Sequence, residues 1–288
     1  MKAVFRHELS SYFTGVTGYV FGAFLLLFTG IYTMVYNLQS ASVHFEYVLG
    51  SMSFVFIIIV PIMTMRVLAE ERRQKTDQLL YSLPLTMTQV VLGKFAAMAA
   101  VFAAPMAIIC LYPLVLSAFG NVYLPSAYGA VAGFFFLGMA LLAIGMYVSS
   151  VTESQPVAAG LCFVVMLVNY FLSDLTGFAS STAYSSLAAL AVTALAACGI
   201  VYLMTKNVLV PLILAAVLEA GLIGAYLMDS TRFEGLFPRI ISQLSLFDRF
   251  YTIVNGVFDV TAIVYYLSVT GVFLFLSVQS MEKRRWSE

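Results

Sequence analysis

Of 288 residues, 62% are hydrophobic and 10% charged, against about 25% charged in an ordinary globular chain; with a mean hydropathy of +0.98, this excludes a soluble domain and indicates an integral membrane protein. The 14 Lys and Arg balance the 14 Asp and Glu, so no basic excess points to nucleic acid, and charges inform only through their positions. Cys110, Cys162 and Cys198 lie inside apolar runs without metal-ligand spacing and read as small buried hydrophobes.

Residues 1–14 place Met1, Phe5, Leu9, Tyr12 and Phe13 on one helical face, with Lys2, Arg6, His7 and Ser10 elsewhere on the turn. That pattern predicts a helix lying in the membrane interface. The following run, 15–36, is long enough to span, and no small-x-small cleavage site closes it, so a cleaved signal peptide is not expected. A second run covers 47–65 and leads into 66–94, the longest well-charged interval of the chain.

Within that interval, a helix over 70–83 puts Thr76, Leu79, Leu80 and Leu83 on one face. Glu71 with Lys75 and Arg73 with Asp77 are opposite charges four apart on the other side, each pair a support of about 0.2–0.5 kcal/mol. Pro84 ends this helix, and Thr86 with Gln89 has the capping-box spacing that starts the next. A solvated loop whose charges only fix topology is the plainer alternative.

Runs 89–118 and 126–149 follow, then a turn at 150–154, and a run over 155–173 with Pro156 at its first turn. Runs 187–204 and 208–228, separated by Thr205, Lys206 and Asn207, form a tight hairpin; the last run is 260–279. The total is about eight transmembrane helices with both termini on one side. Setting the termini in the cytoplasm leaves only Arg232, Arg239 and Arg249 outside among all Lys and Arg, as the positive-inside rule requires. Between the last two runs, Phe233, Leu236, Phe237, Ile240, Ile241 and Leu244 keep helical spacing, and Phe247, Phe250, Tyr251 and Val254 extend the stripe to Asn255-Gly256. The segment 229–259 is therefore read as external amphipathic helices that pack on the outer ends of the spans or gate an exit.

Glu219, near the middle of 208–228, is the one deep charge. A carboxylate there costs several kcal/mol unless it faces water, pairs or takes up a proton. It is either a protonated structural residue bonded to a neighbouring helix or a residue of the translocation path. Gly129 and Gly133 form a weak GxxxG, read as chance or intrachain packing. Several chemistries lack their residues. Gly93-Lys94 is followed by Phe95 and lacks the earlier glycine of a phosphate-binding loop, so no ATP hydrolysis is expected of this chain alone. H-E-x-x-H and G-x-S-x-G are missing, His7 and His44 lie far apart, and neither a metal nor a catalytic set is expected.

The succession Arg66, Glu70, Glu71, Arg72, Thr76, Leu79, Leu80, Pro84, Gly93 and Lys94 resembles the coupling-helix region of ABC-2 type transporter permeases; Lys75 stands where that family usually has a small residue. The resemblance extends to the amphipathic pair, to Gly256 and Asp259 before the last run, and to the basic tail Arg284, Arg285, Trp286, a pattern similar to the subgroup of the gliding-motility permease GldF and the nitrous-oxide-system permease NosY. It implies one transmembrane permease domain over 1–288, in a cell (inner or cytoplasmic) membrane, that is a transport subunit and not an enzyme. Two separate ABC ATPase subunits would hold the ATP and Mg. They would dock on Leu79, Leu80 and Leu83, with Glu70, Glu71, Arg72, Lys75, Thr76 and Pro84 completing the coupling site. A second permease copy or a related permease would complete the complex, an accessory extracytoplasmic subunit is a further candidate partner, and export is the expected direction. That family usually has six spans, so the hairpin 187–228 looks like an added pair. An ion-coupled secondary transporter using Glu219 is the competing class; it predicts inverted repeats, and Pro61, Pro105, Pro113 and Pro211 are not symmetrically placed.

Overall fold

The computed structural model describes residues 1–73, 86–172, 182–205, 209–228, 230–256 and 259–285. Those residues form helices and turns, with no strand among them. Helix α1 covers Lys2–Thr14 and α2 covers Thr17–Thr33, which widens into a π-helical turn at Met34–Gln39. Then come α3 (Glu46–Met52), a 3-10 turn (Ser53–Val55), α4 (Phe56–Thr64) and the short α5 (Ala69–Arg73). They are followed by α6 (Met87–Ile109), α7 (Leu111–Ser117), α8 (Leu124–Val151) and α9 (Gln155–Tyr170). The rest comprises α10 (Ala183–Thr205), α11 (Leu209–Met228), a 3-10 turn (Ser230–Phe233), α12 (Leu236–Leu244), α13 (Leu246–Val254) and α14 (Val260–Arg285).

Local chemistry explains several of these boundaries. Thr86 is extended and its Oγ1 accepts the Gln89 N–H at 3.3 Å, which starts α6 where the capping spacing predicted. At the end of α13, Gly256 adopts φ +89°, a left-handed turn that a side chain rarely allows. Asp259 caps α14: its carboxylate accepts the Thr261 N–H at 2.8 Å and also the Thr261 hydroxyl.

Each of the eight predicted apolar runs overlaps a helix, but they are not equal in length. Five stretches are long and apolar enough to cross a membrane: Thr17–Gln39, Glu46–Glu71, Met87–Ser117, Leu124–Val151 and Val260–Lys283. A sixth results if Leu212–Tyr226 and Ser230–Leu244 count as one broken span; they meet at 115°, so the second does not continue the path of the first. At 16 residues, α9 rises about 24 Å, short of the ~30 Å hydrocarbon thickness.

The chain divides into two compact units, Met1–Tyr170 with Arg249–Glu288, and Phe171–Asp248. In the first, the spans Glu46–Glu71 and Leu124–Val151 are each 72% buried, whereas the other three are 22–33% buried. The inner pair is the core of this unit, and the outer three present apolar side chains to lipid. An aromatic series runs through it: Phe21 meets Phe102 edge-on at 6.0 Å, Phe102 meets Phe56 at 5.8 Å, Phe56 stacks on Phe134 at 4.5 Å, and Phe134 meets Phe250 at 5.7 Å. Gly133 faces Ile253 and Phe250 of α13 with no room for a Cβ, so this half of the GxxxG serves packing within the chain. The second unit holds α10 packed on α11, with α12 and the 3-10 turn against α10. Leu212 and Val217 of α11 are 65% and 64% exposed, apolar surface that needs a lipid or protein neighbour.

Candidate functional site

The charged stretch leaves the inner span Glu46–Glu71 through a turn at 65–68, and that turn is fixed from α8. Ser149, fully buried, accepts the N–H groups of Leu68 and Ala69 at 3.2 and 3.1 Å. Those two amides open α5 and have no intrahelical partner; one hydroxyl satisfies both. One turn before Ser149, Gly145 lets Thr64 approach so closely that a Cβ there would lie 2.5 Å from its Oγ1. The end of α4 and the start of α5 are therefore seated directly on α8, through the Thr64 side chain against Gly145 and the Ser149 hydroxyl.

A second anchor is ionic. Lys94 of α6 is 2% exposed, and its ammonium donates to Glu8 Oε1 at 2.6 Å, Glu71 Oε1 at 2.7 Å and the Val67 carbonyl at 3.1 Å. Three donors meet three acceptors, which is the full capacity of a lysine. Such saturation is what allows a cation to remain buried. The cluster joins three separate elements: α1 through Glu8, α6 through Lys94, and the charged stretch through Val67 and Glu71. Val4, one turn before Glu8, packs over Gly93, so the apposition of α1 and α6 is steric as well as ionic.

This arrangement revises two expectations. The covered face of α1 is Val4, Phe5, Glu8, Leu9 and Tyr12, while Met1 and Phe13 are 50% and 40% exposed. Lys94, counted above among the topology-setting cytoplasmic cations, is instead a buried residue neutralised by carboxylates. Glu8 and Ser149 are the functional residues the sequence reasoning missed. A signal for Glu8 existed: a carboxylate within the Val4, Glu8, Tyr12 stripe, where an interfacial helix should be apolar. Ser149 offered none, being one small polar residue at the end of an apolar run.

Of the predicted coupling residues, Glu70, Glu71 and Arg72 lie on α5. Glu71 reaches Lys94 as described. Lys75, Thr76, Leu79, Leu80, Leu83 and Pro84 lie outside the described residues, as do Asp77, Lys206 and Trp286. Glu219 lies mid-way along α11, and its Oε1 is buried with no hydrogen-bond partner among the described residues. The bonded structural role for Glu219 therefore finds no partner there. All three cysteines are free; Cys162 and Cys198 are buried and Cys110 is half-buried. Among the described residues no group of His, Cys, Asp and Glu could hold a metal ion.

The Tyr12 hydroxyl is pushed above its ordinary range, first by burial and then by the neighbouring Glu8 carboxylate, and so stays a neutral donor. Asp259 is held below the usual carboxylate range, chiefly by the Thr261 hydroxyl and then by its backbone N–H.

No curated protein matches the chain. The family model described as ABC-2 family transporter protein matches residues 9–278, an interval that holds the inner spans, the anchored charged stretch and Lys94. A multi-pass helical membrane protein with a charged stretch rooted in its core, matched over nearly its whole length by that model, belongs to the ABC-2 transporter family.

Proposed function

We propose that this chain is the permease subunit of an ABC transporter, which couples ATP hydrolysis on two separate ATPase subunits to export of a substrate. The observation that carries this is the rooting of the 66–73 stretch. A force applied to it passes to α8 through Ser149, and to α6 and α1 through Lys94. A loop that only set topology would need neither attachment. The continuation, with Thr76, Leu79, Leu80 and Leu83 on one face and Lys75 and Pro84 beside them, supplies the docking helix; Glu70, Glu71 and Arg72 hold its register. ATP and Mg belong to the ATPases, and a second permease copy or a related permease completes the complex.

The finer organisation is proposed on the same basis. Eight crossings result if α9, α10 and α11 each traverse the bilayer beside the five long stretches, with both termini in the cytoplasm and α12 and α13 on the external side. The subgroup of GldF and NosY is the one the C-terminal pattern supports. Glu219 lines the translocation path, its carboxylate left without a partner for cargo or a proton. The same observation favours a second reading, an ion-coupled transporter working without ATPases.

Mild-detergent purification from the native host separates the two. A soluble subunit with a phosphate-binding loop should accompany the chain near one to one and be lost in Leu80→Asp, while the variant still inserts. Recovery of the chain alone, with efflux that follows a proton gradient, would replace the permease reading by the second.

A further inference from the structure

Thr29, Thr33 and Asn37 recur every four residues along α2 and its π-helical continuation, and they are 0%, 7% and 8% exposed. Thr29 bonds as a buried helical hydroxyl ordinarily does: it donates to the carbonyl four residues back at 2.7 Å, as Thr64 and Thr270 do at 2.9 and 2.8 Å. Thr33 does not. Its Oγ1 is closed to solvent without a hydrogen-bond partner among the described residues, and so is Asn37 Oδ1. Turning the amide over does not mend this, because Asn37 Nδ2 donates to the Ser42 carbonyl at 2.8 Å, where an oxygen would face a second acceptor. Residues four apart are neighbours on a helix, so the end of this span carries two adjacent buried residues, each with an unbonded oxygen. Such atoms are rare in folded proteins, and the π turn that holds Asn37 is itself an uncommon form concentrated at functional positions.

The electrostatics of this end of the span narrow the missing partner. An amide oxygen only accepts, so what it lacks is a donor or a cation. The C-terminal end of a helix presents the negative end of its dipole. Glu46, at the start of α3 and 5% exposed, adds a carboxylate whose Oε1 meets His44 Nδ1 at 2.9 Å and the Ser126 hydroxyl at 3.3 Å, with no Lys or Arg paired to it among the described residues. Residues 40–45 tie this carboxylate to Asn37: the Ser42 carbonyl accepts from the Asn37 amide, and the Ser42 hydroxyl accepts the His44 N–H at 3.3 Å. Such surroundings favour a cation over an anion. A bare alkali ion lies closer to its oxygens than a hydrogen-bonded water does, so it suits atoms that solvent does not reach. The two oxygens are neutral, whereas tight sites for a divalent ion are built from several carboxylates. Helix ends and unwound backbone hold sodium in membrane proteins in the same manner.

We propose that the end of the first span binds a monovalent alkali cation, with Thr33 Oγ1 and Asn37 Oδ1 as its side-chain ligands. The ion supplies the partner that both oxygens lack and fixes the π turn, and with it residues 40–45, against the start of α3. The seating of this end of the span thereby follows the cation content of the solution around it. The site requires neither the ATPases nor Glu219, so it stands or falls separately from the function proposed above.

The test uses the full chain in detergent, in choline chloride at fixed ionic strength and then with sodium or potassium replacing choline. Bound radioactive sodium is counted by equilibrium dialysis, and thermal unfolding is followed in parallel. Binding should saturate near one ion per chain, and unfolding should move upward with sodium or potassium but not with choline, because the ion binds only the folded state. Thr33→Val removes the unbonded hydroxyl at nearly constant shape. It should weaken binding roughly tenfold, the range of one contact to a charge, while unfolding in choline stays at or above wild type. Thr33→Ser keeps the oxygen and should retain binding, which a packing role for the methyl group would not require. Asn37→Leu should weaken binding similarly, and Thr33→Val remains informative where Asn37→Leu, which also loses the bond to Ser42, fails to fold. Potassium displacing sodium supports a site for alkali cations as a class. No saturable binding, or wild-type affinity in Thr33→Val, would overturn the site, and calcium displacing sodium at lower concentration would overturn the monovalent assignment.

Discussion

Lys94 and Glu219 are both ionisable side chains set within apolar helices, and the chain treats them oppositely. Lys94 spends its three donors on Glu8, Glu71 and the Val67 carbonyl, whereas Glu219 Oε1 is buried with no hydrogen-bond partner among the described residues. The contrast matters because a buried charge is tolerable only when paired, bonded or neutralised. Lys94 meets the condition through geometry fixed at three helices, so its consequences are mechanical. Glu219 Oε1 has no such partner among the described residues, so no comparable mechanical role follows for it. One is held by three partners and the other has none among the described residues.

The contrast breaks most sharply at Lys94. Lys94→Met leaves Glu8 and Glu71 facing each other without a cation; the cost of unpairing a buried ion is about 3–5 kcal/mol, at its lower end here because both carboxylates keep some solvent access. The triple variant Glu8→Gln, Glu71→Gln, Lys94→Met should recover most of it. Thermal unfolding in detergent reads both, and a Lys94→Met melt equal to wild type would show that the cluster is not a joint. Next in size is Ser149→Ala, which strands the buried amides of Leu68 and Ala69 at about 1–3 kcal/mol. The expected signature is faster hydrogen exchange at residues 65–71; exchange unchanged there would detach Ser149 from the coupling root.

The sequence made the local parts of this architecture legible and left the joint obscure. Thr86 with Gln89, Asn255-Gly256 and Asp259 announce helix ends because each acts on backbone groups within three residues. The apolar runs announce helices because hydrocarbon demands internally bonded backbone. Glu8 and Lys94 lie 86 residues apart in sequence, and no periodicity relates positions on different helices. Glu71 reaches Lys94, 23 residues on, a partner on another helix to which the four-residue spacing of Glu71 and Lys75 gives no pointer. Span number was blurred for a different reason: an apolar run shows hydrophobicity but not direction, and the 115° bend after Tyr226 leaves no mark in composition.

Glu219→Gln sharpens the other side of the comparison. Because Oε1 has no partner to lose, stability should change by no more than about 0.5 kcal/mol, the range of substitutions that break no interaction. Transport by the assembled complex, measured between pH 5 and pH 8, should fall or lose its pH dependence. Transport unchanged at every pH would remove Glu219 from the path, and a large loss of stability would make it a structural residue like Lys94.

Asp259 gives the smallest effect and a control for both. It is a carboxylate at a helix start whose charge is satisfied chiefly by its own neighbour Thr261, with Arg249 a smaller contributor. The Thr261 hydroxyl and N–H hold its folded pKa below the ordinary range, and a lowered folded pKa means that the unfolded chain binds the proton more readily. The stabilisation is therefore complete above the unfolded carboxylate value near 3.9 and disappears as pH falls through the lower folded value. Unfolding followed between pH 5 and pH 2 should show Asp259→Asn converging with wild type at the acid end. If the two remain equally far apart throughout, the cap acts by geometry without charge, and α14 starts as it does for reasons of packing. Convergence shows instead that the charge of one local hydrogen-bonded carboxylate sets the start of α14, an effect the Asp259→Asn comparison isolates because every other carboxylate is common to both proteins.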